Sequence, residues 1–223
     1  MGIKACLIDL HGTIARVDDP VDELTISDFL VQHGYHIYPQ QIRAAWSFVA
    51  FIDYPRYGYK SWYSYLRRIF QRLGVKVDRD TIKGLIKLLD RTFVIYPDVY
   101  DFLKVIKKDL SLKTAIVTTI AKFKFYKYLK PILPYIDLLM TGYEARCEKS
   151  NPKIFIETLN RLNVKPNEAI MIGDSVLVDI IVPKRVGIRT IFLDRSGDQE
   201  KPELADAKVN NLIEAIDVIK KFL

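Results

Sequence analysis

The polar residues of this chain that could do chemistry stand at the ends of short apolar runs. Three such runs stop at a carboxylate or at a pair of hydroxyl groups, and a lysine precedes a later amphipathic segment. These residues are Asp9, Thr118, Thr119 and Asp174, with Asp179 one helical turn beyond Asp174 and Lys149 before the segment 152–162. Carboxylates, hydroxyls and one ammonium group are the set that phosphoryl transfer requires.

Each residue type has a physical role in that reaction. A carboxylate such as Asp9 can act as a nucleophile and form a covalent phosphoryl intermediate. Clustered carboxylates repel one another, and Mg²⁺, which prefers oxygen ligands, relieves that repulsion. The Thr118 hydroxyl and the backbone N–H groups after it can hold phosphate oxygens, and Lys149 can neutralise charge that develops on the phosphoryl group. The residues therefore predict a phosphoryl-transfer site with Mg²⁺ as its cofactor.

The elements that must position these side chains alternate between strand and helix from Pro97 onward. Apolar, β-branched segments predict strands, and the segments between them have helical periodicity. Repeated strand–helix units predict a parallel sheet with helices on both faces, which is an α/β fold. In such sheets ligands bind at the carboxyl ends of the strands, so we expect the polar residues to converge on one edge. The predicted strands are 3–9, 113–117, 136–141, 169–172 and 189–194, with a last strand end near 208.

A long segment after the first strand interrupts this alternation. Residues 22–94 have helical periodicity without clear strands, and the segment DYPRYGY within them predicts a turn. We interpret the insertion as an all-α cap, with residues 16–93 as the cap domain and residues 1–15 and 94–223 as the core domain.

Composition limits the classes to which the protein can belong. Of its 223 residues, 49% are hydrophobic and 27% charged, as in a soluble globular protein, and no apolar run is long enough for a membrane span. The two cysteines do not indicate an oxidising compartment, so we expect a cytoplasmic protein. The net charge of +7 comes from scattered lysines, including those of AKFKFYKYLK, which we expect to be solvated. This favours a small anionic substrate, with neither nucleic acid nor membrane as a partner, and a monomer or homodimer.

The chain resembles the haloacid dehalogenase superfamily in four segments. They are DLHGT at 9–13, AIVTT at 115–119, EKSNPKIF at 148–155 and IMIGDSVLVDIIVPKRVG at 170–187. The resemblance implies a Rossmann-like core and a mobile cap of the C1 type. It also implies site roles: nucleophile Asp9, phosphate-binding Thr118, charge-stabilising Lys149, and Mg²⁺ ligands Asp9, the His11 main-chain carbonyl and Asp174, with Asp179 in support.

His11 is a departure from the pattern, because the similar phosphatases carry a second aspartate there as general acid and base. An imidazole can exchange protons near neutral pH, so His11 can replace that aspartate in a phosphatase acting on a small phosphate monoester. Two alternatives stay open. The enzyme could be a 2-haloacid dehalogenase or a phosphonatase-like hydrolase, although the acidic pair in GDSVLVD is unnecessary in a metal-free dehalogenase site. The chain could also be a catalytically weak binding or regulatory relative.

Other residues are candidates for substrate contact. Thr13 and Thr119 lie beside the first two motifs, and Arg16 follows Asp9 closely. In the cap, Arg56 and Lys60 flank a tyrosine-rich turn and would meet an anionic substrate when the cap closes.

Overall fold

The computed structural model describes residues 2–223, and its centre is a six-stranded parallel sheet. Its strands are β1 (Ala5–Ile8), β4 (Lys113–Thr118), β5 (Leu138–Thr141), β6 (Ala169–Gly173), β7 (Arg189–Leu193) and β8 (Ala207–Val209). Their spatial order is β5, β4, β1, β6, β7, β8, so the first strand of the chain lies inside the sheet. The parallel α/β fold expected from the alternation is confirmed.

Side-chain alternation explains why the sheet is covered on both faces. Within β1, Cys6 and Ile8 face one hydrophobic cluster, whereas Ala5 and Leu7 face another. The first face is covered by α6 (Asp98–Lys104), the short α7 (Lys122–Phe125) and α11 (Leu212–Lys220), and the second by α9 (Lys153–Leu162) and α10 (Val182–Val186). All four residues of β1 are buried, and the first aspartate of the chain, Asp9, directly follows the end of the strand.

The inserted segment is helical and has a hydrophobic core of its own. Its helices are α1 (Glu23–Gln32), α2 (Pro39–Phe48), α3 (Tyr54–Tyr57), α4 (Trp62–Arg72) and α5 (Arg79–Leu89), with a π-helical stretch over Val49–Asp53. The helical cap is thus confirmed. The turn expected from DYPRYGY is wrong up to Tyr57, because Pro55 lies in the first turn of a helix, where proline is tolerated, and the chain turns only at Gly58.

Two short strands that the periodicity did not indicate lie at the ends of the insertion. They are β2 (Ala15–Val17) and β3 (Phe93–Ile95), which pair antiparallel. Three residues are too few to give an alternation signal, so the expectation of an insertion without strands is wrong at its ends. Arg16, the candidate for substrate contact that follows Asp9, lies in β2 opposite Val94.

The remaining segments follow β4, β5 and β6. The segment between β4 and β5, which its periodicity predicts to be helical, contains only α7 and two 3₁₀ turns, over Tyr126–Tyr128 and Leu133–Tyr135. The short α8 (Gly142–Ala145) follows β5, and a π-helical stretch over Val176–Ile181 precedes α10, in which Pro183 lies in the first turn. Within residues 2–223, no helix has the length and apolar character needed to cross a lipid bilayer.

Candidate active site

The site begins at Asp9, directly after the central strand. Its backbone N–H donates to the carbonyl of Ile172 at 2.9 Å, which continues the pairing of β1 with β6 by one residue. Residue Ile116 of β4 pairs with Ile8 on the other side, so Thr118 and Asp9 end neighbouring strands at the same edge. The sheet therefore brings the first, second and fourth motifs together without help from the cap.

Lys149 joins the carboxylates from the loop before α9. It is buried and forms ion pairs with Asp9 and, at 2.5 Å between Nζ and Oδ1, with Asp179. Carboxylate oxygens of Asp9, Asp174 and Asp179 all lie within 4.8 Å of one another. Three carboxylates against one ammonium leave an excess of negative charge, and two of these carboxylates, those of Asp9 and Asp179, are buried whereas Asp174 is exposed.

The electrostatics follow from burial and from these neighbours. Burial raises the pKa of Asp9, although the ion pair with Lys149 opposes that shift. Burial likewise raises the pKa of Asp179, with Lys149 opposing and Asp9 adding to the shift. Burial alone would lower the pKa of Lys149, but Asp179 and Asp9 outweigh it and raise the value. The lysine therefore stays charged, and the carboxylates favour an additional positive charge nearby.

Two glycines make room for this cluster. A Cβ atom at Gly12 would overlap an oxygen of Asp174, and a Cβ atom at Gly173 would overlap the Asp179 carboxyl group. Gly12 also has φ +84°, a conformation that side chains rarely adopt. Carboxylate oxygens that converge beside two glycines fit Mg²⁺, which prefers hard oxygen ligands. The side chains that could hold the ion are those of Asp9 and Asp174, with the buried Asp179 in support.

His11 and Thr118 flank this cluster differently. His11 is exposed and lies near Asp174. Burial and the charge of Asp179 raise the pKa of Asp174. Lys149 and His11 have smaller effects that lower it. Thr118 is buried, and its Oγ1 accepts a hydrogen bond from the Ile120 N–H at 3.2 Å. This bond leaves the hydroxyl hydrogen of Thr118 available to donate.

The other predicted contact residues do not all converge. Thr13 is fully buried, and its hydroxyl has no hydrogen-bond partner among residues 2–223. Arg56 lines a cavity of about 450 Å³ beside the Lys149 loop, whereas Lys60 lines a different cavity of about 340 Å³ next to α8. Arg16 is exposed on β2, and Thr119 lines a cavity between cap and core. Substrate contacts by these residues stay predictions.

Sequence reasoning missed Arg195, which supports the loop after Asp9. Its guanidinium group donates to the carbonyls of Gly12 and Thr13, at 3.2 and 2.7 Å, and forms a two-pronged ion pair with Asp98 at 3.0 Å. It also lies 3.8 Å from the ring centroid of Tyr96. Arg195 follows β7, so the rule that polar residues at strand ends form the site could have found it.

Curated relatives named as phosphatases match about half of the chain. Phospholysine phosphohistidine inorganic pyrophosphate phosphatase of Xenopus laevis is 30% identical over 122 residues, which are 49% of this chain and 45% of that protein. Glyceraldehyde 3-phosphate phosphatase of Methanopyrus kandleri is 31% identical over 133 residues, 56% of this chain and 57% of that protein. The matches span about half the length of these relatives.

Solved crystal structures match nearly the whole chain, among them a phosphatase and a dehalogenase. A HAD phosphatase from Thermococcus onnurineus is 25% identical with a TM-score of 0.66, over 97% of this chain and 98% of that one. A 2-haloacid dehalogenase from Pseudomonas syringae pv. Tomato DC3000 is 18% identical with a TM-score of 0.72, over 99% and 100%, which shows the shared fold. The family model described as haloacid dehalogenase-like hydrolase matches residues 3–187, and the chain belongs to that family.

Proposed function

We propose that the protein is a Mg²⁺-dependent phosphatase that hydrolyses a small phosphate monoester through an aspartyl-phosphate at Asp9. The observation that carries this proposal is the cluster of three carboxylates around Lys149, whose excess negative charge suits a divalent cation. The matching curated relatives named as phosphatases support the same activity. We take residues 16–93 as the cap and residues 1–15 and 94–223 as the core.

The first half-reaction transfers the phosphoryl group to the protein. A carboxylate oxygen of Asp9 attacks phosphorus in line with the ester oxygen, so that a new O–P bond forms as the ester O–P bond breaks. The imidazolium of His11 donates a proton to the departing alkoxide. Lys149 holds Asp9 in place, and Thr118 donates its hydroxyl hydrogen to a phosphate oxygen.

The second half-reaction releases phosphate. The now neutral imidazole of His11 takes a proton from a water molecule, which attacks phosphorus and breaks the bond to Asp9. The carboxylate of Asp9 and the imidazolium of His11 are both regenerated. Mg²⁺, held by Asp9, Asp174 and the His11 main-chain carbonyl with Asp179 in support, would supply neutralisation of the phosphoryl oxygens.

The test of His11 uses two leaving groups of different basicity. The variant His11→Asn should lose roughly 10²-fold or more in turnover of glycerol 3-phosphate, whose alkoxide needs a proton. With p-nitrophenyl phosphate the variant should still give a burst of p-nitrophenol equal to the enzyme concentration, because that leaving group departs without a proton, and should then stall. His11→Asp should restore steady turnover, and His36→Asn, in an exposed cap histidine, is the control.

The same assay separates the alternatives. Halide release from a 2-haloacid without Mg²⁺, and no phosphate release with it, would replace the phosphatase by a dehalogenase. Phosphate release that is indifferent to His11→Asn with both esters would refute the acid–base role. No release of either product, with or without Mg²⁺, would leave a binding or regulatory relative.

A further inference from the structure

Lys124 occupies an unusual environment for a residue in a lysine-rich segment. It was expected to be solvated, but it is half-buried, and its Nζ lies 4.1 Å from the ring centroid of Tyr65. The rings of Trp46 and Trp62 are at 4.8 and 4.6 Å. The lysine comes from α7 of the core and the rings come from α2 and α4, so the side chain bridges core and insertion. Aromatic faces attract the ammonium group but do not neutralise its charge.

Two cavities meet at this lysine. One of about 260 Å³, here called the Thr119 cavity, includes Thr119, Ile120 and Tyr54, and the other of about 240 Å³, the Arg91 cavity, includes Arg91, Trp62 and Phe93. Lys124, Trp46 and Ile120 line both, so the two cavities adjoin. Thr119, which lines the first of these cavities, directly follows Thr118, the predicted phosphate-binding residue, in the chain.

The chemistry of the walls selects for an anion. Neither cavity is lined by an acidic side chain. Arg91 and Trp62 each have a buried N–H group, Nε and Nε1, without a hydrogen-bond partner among residues 2–223. Burial lowers the pKa of Lys124 to about 7, with no carboxylate opposing it. Two buried donors without acceptors beside the Lys124 ammonium group are costly unless an acceptor enters, although another nitrogen of Arg91 pairs with the exposed Asp19 at 3.5 Å.

We propose that these adjoining cavities bind the leaving portion of the substrate and that Lys124 pairs with a second anionic group on it. The substrate class is a phosphate monoester whose small alcohol carries a carboxylate or another phosphate. This proposal rests on the phosphatase function for the position of the first phosphate, near Asp9 and Thr118. The charge that Lys124 provides, rather than its packing, determines the preference.

The experiment compares two ligands with one three-carbon skeleton, 3-phosphoglycerate and glycerol 3-phosphate, which differ in a carboxylate. Binding is measured by calorimetry in an Asp9→Asn background, which cannot turn the ligands over. With Lys124 present, 3-phosphoglycerate should bind at least about tenfold more tightly, as a charge-assisted hydrogen bond implies. In Lys124→Met, which keeps an unbranched side chain only one atom shorter, the ratio of affinities should fall to near one.

Controls separate charge from structure. Lys124→Arg should keep most of the preference, and so should Lys122→Met, in an exposed lysine of the same helix that lines a different cavity. Circular dichroism verifies that each variant folds, and Lys124→Gln, which also removes the charge, replaces Lys124→Met if that variant does not fold. Equal affinities for the two ligands with Lys124 present, or a preference that survives Lys124→Met, would overturn the proposal.

The outcome for Lys124 is distinguishable from the outcome for the phosphatase. Hydrolysis of both esters by the protein with Asp9 intact, without preference for the carboxylate, would keep the phosphatase and refute the anion site. A carboxylate preference in binding, without hydrolysis of either ester, would keep the anion site and refute the phosphatase.

Discussion

The core site and the interface between core and insertion each enclose a lysine, and they treat it in opposite ways. In the core, Lys149 lies between Asp9 and Asp179, which raise its pKa against the effect of burial. At the interface, Lys124 lies among aromatic rings, and burial lowers its pKa to about 7. The comparison shows that negative charge is in excess around Lys149, whereas the described walls of the two cavities at Lys124 contain no acidic side chain. These differences are the basis for proposing a metal in the first region and an anionic ligand in the second.

Methionine at each lysine should separate the two regions most clearly. Lys149→Met leaves three carboxylates without a cation, so we expect the metal-free protein to lose about 3 kcal/mol of unfolding free energy at pH 7. We expect turnover to fall about 10²–10³-fold. Lys124→Met removes a charge that has no carboxylate partner. The cation–π attraction is lost, but the cost of removing the lysine charge from water is lost with it. The free energy of unfolding should therefore change by less than about 1 kcal/mol. Chemical denaturation measures both.

The pH dependence of the first variant has a definite sign. The pKa values of Asp9 and Asp179 are raised in the folded protein. Ionisation of these two groups therefore lowers the free energy of unfolding as pH rises from the ordinary aspartate pKa through the raised values. The loss is larger without Lys149, whose charge opposes the shifts. The difference in unfolding free energy between the wild type and Lys149→Met should therefore become smaller as pH falls from 7 to 5. A deficit that stays constant, or an equal loss in Lys124→Met, would remove the electrostatic distinction between the regions.

Two glycines with positive φ sharpen the description of the core site. Gly12 has φ +84° and faces Asp174, whereas Gly197 has φ +81° and nothing within 4 Å of where a Cβ atom would lie. Alanine at either site should cost about 1 kcal/mol of stability through backbone strain. Only Gly12→Ala also displaces the Asp174 carboxylate, so its Mg²⁺-dependent turnover should fall roughly 10–100-fold. Titration of turnover with Mg²⁺ tests this, and equal activities in the two variants would contradict it.

The smallest expected effect lies inside the insertion, where a charge is paired in the ordinary way. Asp53 is buried and accepts from Arg68 and Arg72, at 2.6 and 3.2 Å from their Nε atoms. Because both arginines are about 30% exposed, Asp53→Asn should cost only about 1–2 kcal/mol. Asp80→Asn, at an exposed ion pair, should cost less than about 0.5 kcal/mol.

The pH profile checks the cause of that loss. Burial alone would raise the pKa of Asp53, but Arg68 and Arg72 outweigh it and lower the value. The stabilisation is therefore complete above the ordinary aspartate pKa, near 4, and is lost as pH falls through the lowered value. Denaturation of the wild type and Asp53→Asn should converge only at such acidic pH. Convergence near neutral pH would point to packing instead.

The sequence predicted the core better than the interface because strand ends obey a simple rule. A buried strand that stops at Asp9, and others that stop at Thr118 and Gly173, place polar groups on one edge whatever the details of packing. The same rule extends to Arg195, although no motif of the sequence indicated that residue. Its partners are backbone carbonyls and Asp98, whose contact with it depends on how a distant helix packs.

The environment of Lys124 had no equivalent signal. The spacing of lysines and aromatic residues in AKFKFYKYLK is typical of an exposed helix, and only docking of the insertion surrounds the side chain with rings. Arg56 and Lys60 illustrate the same limit, since residues four apart in sequence line separate cavities once Gly58 ends α3. Long-range packing determined these positions, and periodicity does not encode it.

The short ribbon of β2 and β3 has a consequence for how this architecture tolerates change. Because Ala15 pairs with Ile95, the chain leaves the core and returns to it at adjacent points. The inserted segment between β2 and β3 could be replaced by a tight hairpin turn, or by a segment of another length, without moving any strand of the large sheet. The inserted helices and the strand ends of the large sheet can therefore change in sequence independently of each other.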